Sequence, residues 1–267
     1  ARNAHEVLCR LIPEAITAVF ASMSLGAVYV PVQPAWPRDL AQFAIEDCAA
    51  RIVIACENDE TIILDRRDSS RTTWRDAILR SSARPAVPPA EPGDPAFILF
   101  TSGSTGRPKG VVISCRAVAA FVKWSASEFG IVPEDRIACP SPLGFDLSTF
   151  DIFSMAIRGA ACVLVSDSVS WMPRFLTRLV DEQSVSVWYS VPSILSGMLS
   201  EGGLGRRPLP RLRVVLFAGE VFPAPQAARL RAALPGAVCA NLYGPTETNV
   251  VSWHPLGDTV DVSRSLP

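Results

Sequence analysis

Apolar and polar positions alternate along the chain in short blocks that predict strands and helices in turn. Residues 6–11 predict a strand, residues 13–25 a helix that begins with proline, and residues 27–32 a second strand. A helix at 37–48 and a strand at 51–56 complete a β-α-β-α-β unit. This order predicts a parallel sheet covered by helices.

A polar stretch and a proline-rich stretch then interrupt the pattern. Residues 57–82 are charge-rich with a weak strand at 61–64, and residues 83–95 contain five prolines. Proline-rich segments are typical of linkers. We therefore expect a first α/β subdomain over 1–92 and a second over 93–267.

Beyond the linker the alternation of strands and helices resumes. Strands are predicted at 96–100, 111–114, 136–139, 161–165, 185–190, 212–218 and 237–242. Helices are predicted at 116–129, 148–157, 173–183, 192–199 and 225–234. The predicted fold class is α/β, with two stacked subdomains built on mainly parallel sheets.

Composition and charge exclude several classes of function. Hydrophobic residues make up 49% and charged residues 19% of the chain, which favours a packed globule over disorder. The net charge of −1 gives no basic field for nucleic acid or an anionic membrane. The uncharged stretch 15–36 is interrupted by Gly26, Pro31 and Pro34, so it predicts a buried helix and strand rather than a membrane span. Seven cysteines without a C-x-x-C pair indicate reduced, buried thiols of a cytoplasmic protein.

The most distinctive motif is TSGSTGRPKG at 101–110, directly after a predicted strand. Its glycines let backbone N–H groups converge on an anion, while hydroxyls and Lys109 add donors and positive charge suited to a polyphosphate. The P-loop pattern fails, because Pro108 stands where it requires glycine and a strand follows instead of a helix. An exposed hairpin turn is the alternative interpretation.

Two further loops carry candidate chemistry. In NLYGPTET at 241–248, Tyr243 could stack on a base, Asn241 bond to its edge, Thr246 donate to a phosphate and Glu247 bind Mg²⁺. The alternative is a turn followed by a helix N-cap. In PLGFDLSTFD at 142–151, Asp146 is either a helix cap or a buried counter-charge for a cation.

Together these motifs resemble those of a known family. TSGSTGRPKG, FDLSTFDIF and NLYGPTE, in this order, are similar to the adenylate-forming superfamily, and especially to amino-acid adenylation enzymes of nonribosomal peptide synthesis. LGAVYVPV at 25–32 and FAGE at 217–220 extend the resemblance, which runs from about Val7 onward. It implies the large N-terminal core of such an enzyme.

The resemblance also implies ATP and Mg²⁺ as cofactors, and it assigns roles to residues. The implied catalytic residues are Lys109, Thr246 and Glu247, with Glu247 as the metal ligand. The implied ATP-binding residues are Thr101, Ser102, Gly103, Ser104, Thr105, Gly106, Lys109, Gly219, Glu220, Asn241, Tyr243, Gly244 and Thr246. The implied reaction is attack of a carboxylate on the α-phosphorus, release of pyrophosphate, and transfer of the acyl group to a carrier-protein phosphopantetheine.

The implied amino-acid pocket is almost entirely apolar. Asp146 would pair with the substrate α-ammonium. The other pocket positions are Leu147, Phe150, Tyr189, Leu216, Ala218, Leu242, Val250 and Val251. Only the phenol of Tyr189 is polar, and this set is similar to that of stand-alone prolyl ligases that load a peptidyl carrier protein. L-proline is the first expectation, with alanine, valine or another compact apolar amino acid behind it.

Two departures and three alternatives accompany the resemblance. Cys115 stands where the family usually has histidine, a peripheral change. The chain begins without methionine and stops at Pro267, before the family's ribose-binding aspartate and lysine-bearing mobile lobe. We therefore expect a truncated core with little pyrophosphate exchange by itself. An acyl- or aryl-CoA ligase, a non-catalytic nucleotide-binding remnant and a P-loop kinase are the alternatives.

Overall fold

The structure is a computed structural model that describes residues 4–8, 13–33, 35–57, 60–80, 90–101, 108–206, 208–263 and 266, with backbone only for 4–8, 56 and 57. The chain divides into two compact units. The first comprises Ala1–Ala120 with Pro142–Phe145, and the second Phe121–Ser141 with Asp146–Pro267. Each unit contains one mixed sheet flanked by helices.

In the described part of the first unit, seven strands form a sheet in the order β5-β4-β3-β1-β2-β6-β7. The strands are β1 (Ala4–Leu8), β2 (Val28–Val32), β3 (Ile52–Glu57), β4 (Glu60–Asp65), β5 (Ser70–Thr73), β6 (Pro95–Thr101) and β7 (Lys109–Ser114). The helices are α1 (Pro13–Ser24), α2 (Arg38–Asp47) and α3 (Trp74–Arg80). Parallel pairing of β1 with β2 and β3 confirms the predicted β-α-β-α-β unit.

Strand β2, an interior strand of this sheet, is buried on both faces. Every residue of β2 is buried, as expected for a parallel strand covered by helices on both sides. Phe100 of β6 packs edge-on against Trp36 and Phe43, with ring centroids 6.3 Å apart in both pairs. Residues 15–36 thus contribute a helix and a buried strand, as predicted. In the described parts of the chain, no helix is long and apolar enough to cross a membrane.

Among the residues of the second unit that the structure describes, six strands form a sheet in the order β13-β12-β11-β10-β8-β9. The strands are β8 (Arg136–Cys139), β9 (Ala161–Leu164), β10 (Val187–Ser190), β11 (Val214–Phe217), β12 (Val238–Tyr243) and β13 (Ser252–Pro255). The helices are α4 (Cys115–Glu128), whose first residues belong to the first unit, α5 (Leu147–Arg158), α6 (Pro173–Glu182), α7 (Pro192–Ser200) and α8 (Ala224–Ala233). All pairs are parallel except β12 with β13.

Side-chain alternation along these strands separates two packed faces. Trp188 of β10 and Phe217 of β11 pack in one core with Leu176 of α6, Leu195 of α7 and Leu230 of α8. Residues one position away along each strand point to the opposite face. That opposite face contains the candidate amino-acid pocket.

The structure corrects two parts of the predicted organisation. The predicted boundary between residues 92 and 93 does not match the compact units, because β6 pairs with β2 through Phe97 and Tyr29 and so belongs to the first sheet. The first sheet is also less parallel than predicted. Pairs β3–β4, β4–β5 and β6–β7 are antiparallel, because short connections return the chain directly.

Three elements were missed, and the cysteines follow the prediction only in part. β5, α3 and β13 span only four to seven residues each, too few for the apolar periodicity that predicts a core element. Among the described cysteine side chains, none forms a disulfide: these are Cys48, Cys115, Cys139, Cys162 and Cys239. Of these, Cys139 and Cys239 are buried, while the rest are partly exposed. The side chains of Cys9 and Cys56 lie outside the described residues.

Candidate nucleotide and amino-acid site

Predicted nucleotide-binding residues meet where the parallel strands of the second sheet end. Asn241 and Tyr243 lie at the end of β12, and Gly219 follows β11. Open α/β sheets bind ligands at this edge. Together with Glu220 and Gly244 these residues line one cavity of about 630 Å³.

The far wall of this cavity was missed by sequence reasoning. Strand β13 pairs antiparallel with β12, so His254 lies opposite Asn241 and Trp253 opposite Leu242. The remaining lining residues are Val221, Phe222, Ser252 and Leu266. The segment SWHP has neither strand alternation nor a recognisable motif, so no local signal identified it.

The cavity offers a flat aromatic surface beside a hydrogen-bonding amide. The Tyr243 side chain is 69% exposed, which leaves its ring available for stacking. Gly219 has φ +87°, a left-handed conformation that favours glycine. An exposed ring, an adjacent Asn241 amide and a tight glycine turn suit a planar heterocycle such as adenine.

Glu220 is held by the start of α7. The Ser193 N–H donates to one oxygen of its carboxylate at 2.9 Å, and the Ser193 hydroxyl donates to the other at 3.1 Å. A carboxylate at a helix N-terminus is stabilised by the helix dipole and the free amides there. Glu220 therefore fixes the turn after β11 instead of being fully available to a ligand.

Thr246 and Glu247 lie in a compact turn that follows β12. The N–H groups of Thr248 and Asn249 both donate to the Pro245 carbonyl, at 3.0 and 2.9 Å. Glu247 is exposed and Thr246 half-buried. A search of the described ranges finds no group of three His, Cys, Asp or Glu side chains suited to a metal. One exposed carboxylate fits Mg²⁺, which commonly takes one or two protein carboxylates together with substrate phosphates.

Asp146 lies at the N-cap position of α5, but its side chain makes no capping hydrogen bond. Its carboxyl is half-buried. Burial raises the pKa of Asp146, the Leu147 N–H and the Thr246 hydroxyl oppose that rise through hydrogen bonds, and the charge of Glu247 adds to it. Of the two interpretations left open by the sequence, the geometry favours the counter-charge.

Several predicted pocket residues share the face of the second sheet that α5 covers. Phe150 is fully buried, and its ring packs edge-on against that of Tyr189, with the ring centroids 5.6 Å apart. Tyr189 of β10 lies beside Leu216 of β11 in the parallel register. Burial, together with the nearby charges of Asp146 and Asp151, raises the pKa of Tyr189 well above its ordinary value, so the phenol stays neutral.

The remaining pocket residues differ in exposure. Leu147, Ala218 and Leu242 are buried, whereas Val250 is half-buried and the Val251 side chain is 64% exposed. Val251 donates its N–H to the Tyr243 carbonyl at 2.8 Å, which fixes the base of the turn. The buried residues fit the predicted apolar pocket better than the two valines do.

The predicted phosphate loop belongs to the first unit and is described only at its ends. Thr101 closes β6 and the exposed Lys109 opens β7, and these two residues pair in the antiparallel register. Ser102, Gly103, Ser104, Thr105 and Gly106 lie outside the described residues. Phosphate binding by this loop therefore stays a prediction.

Comparison with known proteins identifies the relatives of this chain. It is 39% identical to the L-proline–(L-prolyl-carrier protein) ligase of Pseudomonas fluorescens and 36% identical to the enzyme of that name from Streptomyces coelicolor. The matches cover 94% and 96% of this chain and 52% of each relative, so the chain spans about half the length of these curated relatives.

The fold has close neighbours among solved structures. The AMPPNP-bound form of the nonribosomal peptide synthetase FmoA3 superposes with a TM-score of 0.84 at 28% identity. That match covers 100% of this chain and 28% of the synthetase. The family described as "AMP-binding enzyme" matches residues 6–266. A match over nearly the whole chain shows that it belongs to the AMP-binding enzyme family, as its three motifs indicated.

Proposed function

We propose that the protein activates a small apolar amino acid, L-proline first, by ATP-dependent adenylation and releases pyrophosphate. The aminoacyl group then passes to the phosphopantetheine thiol of a peptidyl carrier protein. The observation that carries this proposal is the half-buried Asp146 carboxylate, which makes no capping hydrogen bond at the start of α5. The relatives named as prolyl-carrier protein ligases support the choice of substrate. The proposed compartment is the cytoplasm.

Asp146 suits an amino acid better than a simple carboxylic acid. An unpaired carboxylate beside apolar walls is costly, and an incoming α-ammonium would remove that cost. Fatty-acyl and aryl-CoA ligases act on substrates that carry no such ammonium. Phe150 and Tyr189 limit the depth of the pocket, which favours a compact ring such as that of proline.

Each nucleotide-binding residue has one proposed role. Tyr243 and Asn241 take the adenine, Thr246 the α-phosphate, and Lys109 with the predicted phosphate loop the outer phosphates. Glu247 would hold Mg²⁺, which when bound neutralises phosphate charge. The protein's own contribution is to orient the substrate carboxylate toward the α-phosphorus and to stabilise the charge that develops there.

The test is amino-acid-dependent pyrophosphate exchange by the full-length protein, measured across the twenty amino acids. We expect proline to give the highest kcat/KM. Asp146→Ala should lower kcat/KM for proline at least about a hundredfold, since losing one partner of a buried ion pair costs roughly 3 kcal/mol or more. Glu182→Ala, which removes half of an exposed i,i+4 pair with Arg178, is the matched control and should leave exchange unchanged.

The outcomes separate the alternatives. Exchange that depends on fatty or aryl acids, and is insensitive to Asp146→Ala, would favour a CoA ligase. Nucleotide binding without exchange for any acid would favour a non-catalytic remnant. A ranking with alanine or valine above proline would correct the substrate but keep the reaction.

A further inference from the structure

The turn that carries Thr246 and Glu247 closes on Asn249. Asn249 has φ +62°, a left-handed conformation uncommon for residues other than glycine but tolerated by asparagine. Its N–H donates to the Pro245 carbonyl at 2.9 Å. The backbone packs so tightly that a side chain on Gly244 would come within 2.2 Å of the Asn249 carbonyl oxygen. Asn249 therefore sets the shape of the whole turn.

The Asn249 side chain also bonds to a residue far away in sequence. Its amide Nδ2 donates to the main-chain carbonyl of Asp146 at 3.0 Å, across 103 residues of chain. The same carbonyl accepts the N–H of Thr149 at 3.0 Å, which is the first hydrogen bond of α5. A hydrogen bond from Asn249 thus reaches the point where α5 begins.

The same turn also acts on the Asp146 side chain. The Thr246 hydroxyl, three residues before Asn249, lowers the pKa of Asp146 by hydrogen bonding, although burial raises that pKa overall. The bond from Asn249 to the Asp146 main chain is therefore the contact that fixes the turn against the start of α5.

We propose that Asn249 is a positioning residue that holds the nucleotide-binding turn against the start of α5 and so couples amino-acid binding to nucleotide binding. This inference rests on the proposed function, in which Asp146 receives the substrate ammonium and Thr246 the α-phosphate. In this proposal Asn249 acts through those two residues and does not itself bind either ligand. It sets the distance between the two groups that do, and a catalytic geometry built from separate elements depends on such supports.

Two properties of Asn249 can be tested separately: its left-handed backbone conformation and its side-chain amide donor. Asn249→Gly keeps the left-handed conformation without strain but removes the amide donor. Asn249→Asp keeps a side chain that tolerates this conformation but presents an oxygen to the Asp146 carbonyl. A role limited to backbone conformation predicts that Asn249→Gly behaves like the wild type. A positioning role predicts that KM for proline is lowest in the wild type, higher in Asn249→Gly and highest in Asn249→Asp.

The experiment compares these variants of the full-length protein in pyrophosphate exchange, with Ser184→Gly as the matched control. Ser184 is an exposed loop residue of the second unit with φ +49°. We expect Asn249→Gly to raise KM for proline roughly fivefold, the effect of one lost hydrogen bond, and Asn249→Asp to raise it further. AMPPNP should also strengthen proline binding less in both Asn249 variants than in the wild type, because the coupling is weakened. Ser184→Gly should change neither quantity.

A second measurement is independent of activity. Hydrogen exchange of residues 146–151 and 244–251 should be faster in both Asn249 variants than in the Ser184→Gly control. Unchanged protection of both segments, or an unchanged KM in Asn249→Gly, would overturn the role of Asn249 while leaving the adenylation reaction intact. A wild-type protein without amino-acid-dependent exchange would instead overturn the proposed function itself.

Discussion

Three aspartates of the second unit, Asp135, Asp146 and Asp151, have pKa values that their surroundings shift in different directions. Burial acts to raise all three. At Asp135, hydrogen bonds from Arg213 and other donors outweigh burial, and the pKa falls below its ordinary value. At Asp146 and Asp151 the hydrogen bonds lower the pKa less than burial raises it, so their pKa values rise. A guanidinium partner together with neutral donors therefore lowers the pKa of Asp135, whereas burial prevails at Asp146 and Asp151.

Replacing Asp135 should reveal the strength of its hydrogen-bond network. Asp135 accepts hydrogen bonds from the Ser186 hydroxyl at 2.7 Å, the Val132 N–H at 2.9 Å and Arg213 Nε at 3.0 Å. Because its folded-state pKa is lowered, its contribution is present above an unfolded-state pKa of about 3.9 and is lost as pH falls through the folded-state value. We expect Asp135→Asn to lower the free energy of unfolding at pH 7 by about 3 kcal/mol in urea titrations.

The same titrations contain the control. Glu182→Gln alters an exposed ion pair and should change the free energy of unfolding by less than about 1 kcal/mol. The loss in Asp135→Asn should shrink toward pH 3, where the wild-type carboxyl is itself becoming protonated. Equal losses in the two variants would show that the network around Asp135 contributes little.

Asp151 should respond to pH in the opposite sense. Burial raises its pKa well above the ordinary value, the charge of Cys162 adds to the rise, and the Cys139 thiol opposes it. As pH rises above about 4, the unfolded chain ionises while the folded protein keeps its proton, so stability is lost until the folded-state pKa is reached. Asp151→Asn cannot ionise, and its stability relative to the wild type should increase from pH 4 to pH 8 in urea titrations.

Ser154 provides the comparison for Asp151, because it lies three residues further along α5 and is also fully buried. Its hydroxyl has no hydrogen-bond partner among the described residues. Ser154→Ala should change the free energy of unfolding equally at pH 4 and at pH 8, since no titrating group is removed. A pH-independent effect of Asp151→Asn would mean that Asp151 is ionised in the folded protein.

At the scale of elements, the end of α5 depends on one glycine. The helix closes at Gly159, which has φ +71° and donates its N–H to the Met155 carbonyl. A Cβ there would meet nothing within 4 Å, so Gly159→Ala introduces backbone strain without a clash. We expect a loss of about 1 kcal/mol in the free energy of unfolding. Gly236→Ala, also in open space but without a left-handed φ, should show no such loss.

Elements with strong apolar patterns could be predicted from the sequence. Strand β8 has the predicted bounds, and the predicted helix at 13–25 differs from α1 by one residue. The missed strand β13 contributes one half-buried tryptophan and otherwise exposed residues, so its pairing with β12 creates the strand rather than its own composition. A strand that forms only because it pairs with a neighbour cannot be recognised from its own residues.

In the candidate site, too, residues within motifs could be predicted and contacts between distant positions could not. Asp146, Tyr243 and Glu247 could be predicted as site residues because they lie in recognisable motifs. The bond from Asn249 to Asp146 was not predicted, because it joins positions 103 residues apart and uses a main-chain acceptor that every residue possesses. The hydrogen bonds from Ser193 to the Glu220 carboxylate were missed because these residues lie 27 positions apart and belong to different predicted segments.

At the scale of the whole molecule, the fold does not by itself specify the substrate. The chain superposes on a solved synthetase with a TM-score of 0.84 at only 28% identity, so backbones stay alike while most side chains differ. Superfolds support many functions through the side chains of one site. Substrate choice should therefore change with pocket residues and resist changes to the core on the other face of the second sheet.

Phe150→Leu and Leu230→Val test this separation. Both wild-type side chains are fully buried, but Phe150 packs against Tyr189 in the proposed pocket, whereas Leu230 belongs to the core formed with α6 and α7. Shortening Phe150 should deepen the pocket, so kcat/KM for proline should fall and that for leucine should rise in exchange assays. Leu230→Val should lower the free energy of unfolding by about 1 kcal/mol and leave the amino-acid ranking unchanged. Equal changes of ranking in both variants would trace selectivity to general stability, and an unchanged ranking in Phe150→Leu would remove Phe150 from the pocket.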